Sequence, residues 1–282
     1  HGDTIGTMSA GARGVFNAAY EPLLFEVGRI PFPAAGQEQA TLDALEAECK
    51  AGTVAALIVE PLILGAGGML IYSQAVLARM REICTAYGVL LIADEVMTGF
   101  GRTSTLFACD RAGIAPDILC VAKGLTGGSI PLAATLCTAQ IYQAHYSTDR
   151  TKTFFHSSSY TANPIACAAA AANLEIWRSE PVPQRLASIS AWHEPHLAKL
   201  AGDSRFANPR QMGTIAAIDV MVKDAGYLAN VGLAMRKAFL RRGILLRPLG
   251  NTVYIMPPYC TCEAELGDVY AAISDVAAEV CA

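Results

Sequence analysis

Two apolar runs in this sequence end on side chains that do chemistry. VLLIAD closes on the carboxylate of Asp94, and twenty-nine residues later DILCVAK closes on the amine of Lys123. Each run is short, aliphatic and bordered by glycine, with Gly88 before the first and Gly124 after the second, which predicts interior strands of a parallel sheet. The carboxyl ends of strands in an open α/β sheet face the ligand crevice, so on neighbouring strands the acid and the amine project into one site. Two readings of the pair stand side by side. In one, Asp94 and Lys123 form a buried ion pair, because a carboxylate is costly to desolvate without a positive or hydrogen-bonding partner. In the other, the amine adds to the carbonyl of an aldehyde cofactor to give a Schiff base, while the carboxylate holds a protonated ring nitrogen of that cofactor. Desolvation and nearby positive charge then keep the amine neutral and nucleophilic.

Further residues point to the same place. Val96, two past the acid, is set to press an apolar surface on a flat ring, and Arg102, past the turn at Thr98 to Gly101, is a candidate partner for an anion. In HSSSYTANP, Ser157, Ser158 and Ser159 precede a helix start, where hydroxyls and backbone N–H groups suit a phosphate. The same serines also suit plain helix capping. Two glycine-rich segments do not compete as phosphate loops. GAGGML lacks the third glycine of the dinucleotide fingerprint, and GLTGGSIP lacks the Lys-Ser/Thr of a nucleotide loop.

The elements that must hold these residues read as an alternation: strand 54–60, helix 73–87, strand 89–94, a short helix near 105–112, strand 117–122 and a strand-like run at 132–138. That order predicts a doubly wound α/β layer. NPIACAAAAANLEIWRSE predicts a long helix, with Asn163 at its N-cap and Pro164 at its first position. Helices at 184–200, 228–242 and 263–279, with TIAAIDVMV and ILLRPLGNTVYIMPPY among them, predict a smaller α/β domain. The division falls between residues 1–180 and 181–282. The chain opens at His1 within a glycine-punctuated loop, so the larger domain is expected to lack its opening strands.

With 282 residues the chain has the bulk for about two domains and a sizeable core. Apolar residues at 53% against 16% charged exclude disorder and favour large buried sheets or subunit interfaces. The net charge of -4, without a run of Lys or Arg, gives no footprint for nucleic acid or an anionic membrane. The nine cysteines, scattered among apolar neighbours, read as buried thiols of a reducing cytoplasm. No metal is expected: Cys260 and Cys262 lack a second pair, and His193 and His196 lack a third ligand. VAALIVEPLILGAGGMLIY is long enough to span a bilayer, but Glu60, Pro61 and its glycines interrupt it, so it reads as a strand and a loop.

LLIADEVMTGFGRT, DILCVAKGLTGG, VEPLILGAGGM, HSSSYTANPIACAAA and RPLGNTVYIMPPY together resemble the class III aminotransferases of the pyridoxal phosphate fold type I superfamily. The resemblance runs from His1 nearly to the end. It implies an aspartate aminotransferase-like α/β fold, with a mostly parallel sheet in the large domain and a small C-terminal α/β domain. It also implies pyridoxal 5′-phosphate as cofactor, an amino donor and a keto acid acceptor as substrates, and a cytoplasmic homodimer with shared active sites. By position it makes Lys123 the Schiff-base lysine and Asp94 the partner of the pyridine nitrogen, with Val96 on one ring face. Ser158 and Ser159 fall in the phosphate-binding segment, Ser159 reaching the neighbouring subunit's cofactor. Arg247 matches the arginine that grips the substrate carboxylate, with Tyr254 in the same motif, and Arg102 and Asp3 fall at substrate-side positions. Glu60 stands where relatives use a glutamate near the cofactor, and it reads equally as a strand-end acid before Pro61. HGDT and RPxGxxxYxMPPY favour the branch serving biotin synthesis, with adenosylmethionine as donor, over relatives acting on ornithine, 4-aminobutyrate or β-alanine; an inactive fragment of such an enzyme is the other reading. Against the family pattern two departures are expected: the tyrosine placed directly before the histidine matching His1 is missing, and Leu249 stands where some relatives have an aromatic side chain.

Overall fold

The computed structural model of the chain describes residues 2–223, 226 and 229–281. The expected helix start at 228 therefore lies outside the described residues.

Helix α1 (Ile5–Ala10) leads through a 3-10 helix at Ala18–Leu23 and an extended stretch to α2 (Glu38–Ala51), whose buried Leu42, Leu45 and Cys49 recur at helical spacing. Strand β1 (Ala56–Val59) follows, then a hairpin of β2 (Ile63–Leu64) and β3 (Leu70–Ile71). The segment expected to be a plain loop after β1 is thus a two-stranded ribbon, turned at Gly65–Gly68. Helix α3 (Gln74–Tyr87) starts at Ser73, whose hydroxyl accepts from the Val76 N–H, and stops at Gly88, which takes a left-handed φ of 69°. Next come β4 (Leu90–Asp94), α4 (Ala108–Arg111), β5 (Ile118–Val121), β6 (Ala134–Cys137) and α5 (Ala139–His145).

The first sheet has the order β1-β4-β5-β6. Its first three strands run parallel and β6 is antiparallel to β5. β4 lies inside the sheet, and α2 and α3 pack together over a core that includes Leu77, Met80, Cys84 and Leu62.

Helix α6 (Pro164–Ser179) begins where Asn163 accepts from the Ile165 and Ala166 N–H groups at 3.0 and 3.3 Å, and Pro164 contributes the fixed φ of a first turn. Beyond it α7 (Val182–Ala201), β7 (Phe206–Met212), β8 (Ile215–Val220), α8 (Val231–Arg241), β9 (Thr252–Ile255) and α9 (Glu263–Cys281) form a second layer. Its sheet is antiparallel, β7-β8-β9. Leu197, Ile218, Phe239, Val253 and Ile273 meet in a separate core between that sheet and its helices.

The two layers touch through a third cluster, in which Ile63, Met69 and Met97 meet Ile215, Ala217 and Tyr254. Arg210 adds polar contacts there, donating to the Met69 and Gly68 carbonyls and to Asp219. Gly213 is required at this joint. A side chain on it would stand 2.5–2.6 Å from the backbone of Arg102, Thr103 and Ser104.

The cysteines do not match the expectation of uniform burial. Cys49, Cys84 and Cys109 are buried, but Cys137, Cys167, Cys260, Cys262 and Cys281 are exposed. The physical reason is placement: Cys137 lies on the edge strand β6 and Cys167 on the outer side of α6. All nine are unbridged thiols. Among the described residues no helix is long and apolar enough to cross a membrane.

Candidate functional site

Three strand ends define the site. β1 pairs with β4 through Val59 and Ala93, and β4 pairs with β5 through Asp94 and Cys120, all parallel. Glu60, one residue past β1, Asp94, the last of β4, and Lys123, two past β5, therefore leave the sheet at one edge. Asp94 is buried, at 6% exposure, and its Oδ1 accepts from the Val96 N–H at 3.2 Å. Lys123 is exposed.

Electrostatics ties the three together. Burial pushes the Glu60 carboxyl above the ordinary carboxylate range and the Asp94 charge adds to that, while the Gly65 N–H and the Lys123 ammonium pull the other way. Burial likewise raises the Cys120 thiol, and Asp94 raises it further. Glu60 accepts from the Gly65 N–H at 3.1 Å, and the Tyr72 hydroxyl donates to the Glu60 carbonyl at 2.9 Å.

Glu95, which sequence reasoning did not single out, fixes the exit from β4. Its side chain is fully buried and accepts from the Thr98 hydroxyl and from the Ala108 and Cys109 N–H groups at 2.5, 3.0 and 2.8 Å. It thereby satisfies N–H groups at the start of α4. Its own N–H donates to the Cys120 carbonyl at 2.9 Å, pinning the end of β4 to β5. The available signal was the doublet itself: a second acid after a buried strand end must find donors or pay the cost of desolvation.

The remaining expected residues fall into two groups. Val96 is half-buried beside Asp94, and Tyr254, on β9, packs in the cluster that contains Met97. Arg102 has polar and aromatic partners within the chain. Its guanidinium donates to the Pro257 carbonyl at 2.7 Å and lies over the Tyr259 ring, because the turn at 98–104 carries it beneath the chain leaving β9. Ser158 and Ser159 are exposed ahead of α6, and they are not its caps, since Asn163 fills that role. Arg247 is exposed in the segment before β9, and Asp3 is exposed ahead of α1. His193 sits in a polar niche of its own, with Nδ1 2.7 Å from the Tyr270 hydroxyl and Nε2 3.2 Å from the Thr214 carbonyl.

A buried acid and an amine at adjacent parallel strand ends, in a mostly parallel α/β layer joined to a small antiparallel one, define an enzyme-type site able to bind a carbonyl compound and hold a cationic ring. The chain belongs to the class-III aminotransferases, whose family pattern it matches over residues 1–277. It is 48% identical to the adenosylmethionine-8-amino-7-oxononanoate aminotransferase of Synechococcus elongatus, over 99% of this chain and 68% of that protein. The enzyme of the same name from Geobacter sulfurreducens is 38% identical, over 94% of this chain and 63% of that protein. Among solved structures, the same-named enzyme of Methanocaldococcus jannaschii superposes with a TM-score of 0.91 at 34% identity, covering 99% of this chain and 66% of the other. A PLP-bound amine transaminase from an uncultivated Pseudomonas species superposes at 0.89 with 32% identity, over 100% of this chain and 68% of the other. The chain thus spans about two thirds of the length of these relatives.

Proposed function

We propose that this chain carries out pyridoxal phosphate-dependent transamination of 8-amino-7-oxononanoate to 7,8-diaminononanoate, with adenosylmethionine as amino donor, in biotin synthesis. The observation that carries the reading is the pair Asp94 and Lys123 at neighbouring parallel strand ends, in a chain this similar to enzymes of that name.

The donor set fits the cofactor. A buried carboxylate suits a protonated pyridine nitrogen, a primary amine at the next strand end suits an aldehyde, and a run of exposed hydroxyls suits a phosphate. When bound, the pyridinium ring of pyridoxal phosphate draws off the electron pair left when the substrate α-carbon loses its proton.

Each residue then has a task. Asp94 would hold the ring nitrogen in its protonated form. Val96 presses on one ring face. Lys123 would bind the cofactor through its aldehyde, and its amine, when free, would carry a proton between the substrate α-carbon and the cofactor's C4′ as general base and acid. Arg247 grips the substrate carboxylate beside Tyr254, Asp3 and Arg102 border the substrate, and Glu60 lies near the cofactor. Ser159 would reach the phosphate of a second copy's cofactor, with Ser158 in the same phosphate-binding segment. Support for that second copy comes from exposed apolar side chains in the same region, Phe154, Phe155, Tyr160 and Ile165, each at least 67% accessible. Residues 1–180 carry the cofactor and 181–282 form the small domain. A cytoplasmic setting suits nine unbridged thiols.

The test is Lys123→Ala in the purified protein. The visible band that develops when the amine binds pyridoxal phosphate should vanish, and amino transfer from adenosylmethionine should drop by at least about 10²-fold, the contribution of a positioned general base. Normal turnover in that variant overturns the assignment.

A further inference from the structure

Lys123 stands in a backbone conformation that its type avoids. It opens a one-turn 3-10 helix, Lys123–Thr126, with a φ of +40°. A residue with a side chain holds such a conformation only where its surroundings impose it. Part of the constraint is local. The Gly128 N–H donates to the Lys123 carbonyl at 3.0 Å, and the Gly127 N–H to the Gly124 carbonyl at 3.1 Å.

The other part comes from α6, across the fold. The side-chain amide of Asn173 donates from Nδ2 to the Gly124 carbonyl at 2.8 Å and to the Leu125 carbonyl at 3.2 Å. Its Oδ1 lies 3.2 Å from where a Cβ on Gly127 would stand, so the same amide binds the middle of the turn and closes the space over its Gly127 cap. Asn173 interrupts an alanine-rich helix with a residue of poorer helix propensity, and its side chain is spent on the neighbouring turn instead of on α6.

We propose that Asn173 is a positioning residue for Lys123: by holding the Gly124 and Leu125 carbonyls it keeps the lysine in its left-handed start and so aims the amine at the strand-end crevice. The proposal rests on the reading of Lys123 given above. Without the amide, the turn relaxes toward ordinary helical φ and the amine swings away from the edge that holds Asp94. Because Lys123 serves both when the cofactor is taken up and when the proton moves, the loss falls on cofactor retention and on kcat more than on KM.

The experiment compares wild type, Asn173→Leu and Asn173→Asp, both branched at Cγ as asparagine is and both without an N–H donor at neutral pH. Cofactor dissociation constants are read by absorbance titration with pyridoxal phosphate, alongside the maximum of the visible band, kcat, KM and the melting temperature. Losing two neutral hydrogen bonds is expected to weaken cofactor binding roughly tenfold, to lower kcat by a similar factor with KM little changed, and to move the band maximum. The proposal is overturned if either folded variant binds the cofactor and turns over as the wild type does, whatever its melting temperature. Lys123→Ala, run in parallel, keeps the two ideas apart. A band that survives in Lys123→Ala defeats the reading of the lysine, whereas a band lost there but unaltered in both Asn173 variants defeats only the positioning role.

Discussion

Phe100 occupies the space that a side chain at Gly124 would need. Its Cβ lies 2.7 Å from the position of a Cβ on that glycine, and two ring atoms lie at 3.1 Å. Phe100 is buried, holds a φ of +58°, stacks edge-on with Phe107, and receives the Tyr259 hydroxyl on its carbonyl at 2.6 Å. It is therefore fixed from several directions and has little room to retreat. The residue after Lys123 is thus seated on the loop that follows Asp94.

Gly124→Ala follows directly. The added methyl overpacks a closed contact and should cost about 1–3 kcal/mol, read as a lower midpoint in urea. Strain relieved by lifting the Lys123 turn should also weaken uptake of pyridoxal phosphate in an absorbance titration. A variant with wild-type stability and wild-type uptake would show that Phe100 yields freely.

Much of this arrangement can be read from the chain, and the reason is local. The runs ending at Asp94 and Lys123 announce strands because their apolar residues are contiguous and glycine-bounded, and α6 announces itself through Asn163 and Pro164. What cannot be read depends on partners distant in sequence. β7 contains Pro209 and a left-handed Asn208, and its pairing with β8 shifts register between Ala207 and Arg210, so no alternation marks it as a strand. The contact of Arg102 with the Pro257 carbonyl joins positions 155 apart, and neither end marks the other. Asn173 and Gly124 are separated by 49 residues, and an asparagine on an alanine-rich helix carries no mark of its target.

Glu95→Gln probes the exit from β4. Both carboxylate oxygens of Glu95 accept hydrogen bonds, one from Cys109 and the other from Thr98 and Ala108. An amide of the same shape must turn its NH2 toward one of those donors, leaving a buried N–H unmatched. The cost should be about 1–3 kcal/mol in a denaturant titration. Burial raises the Glu95 carboxyl above its ordinary range, so the folded chain holds that proton more tightly than the unfolded one. The penalty of ionising it accordingly grows as pH rises from the unfolded value through the folded one, and the variant should lack that slope. Equal midpoints for both proteins across pH would contradict this account.

His193 gives the opposite pH dependence. Its Nε2 faces the Thr214 carbonyl, which only accepts, so the neutral ring carries its proton there and accepts from the Tyr270 hydroxyl on Nδ1. Protonating Nδ1 sets a second donor against that buried hydroxyl. Burial drives the His193 pKa down from 6.5 to about 4, with the nearby His196 lowering it further and the Thr214 carbonyl opposing. The folded pKa lies below the unfolded one, so between these values the unfolded chain binds more protons and stability increases with pH. The contribution is complete above about 6.5, is lost as pH falls toward 4, and amounts to about 3 kcal/mol. His193→Gln keeps a donor for Thr214 and an acceptor for Tyr270 but does not titrate. Urea unfolding of both proteins at pH 7, 6, 5 and 4.5 should show the wild type losing stability relative to the variant through that window, and parallel curves would exclude His193 as the source. The same niche bears on the site, because the Thr214 N–H donates to the Arg102 carbonyl at 3.0 Å and Arg102 leads back through the loop to Asp94. Acid should therefore loosen the joint between the two layers, and in wild type but not in the variant, uptake of pyridoxal phosphate should weaken over the same pH range.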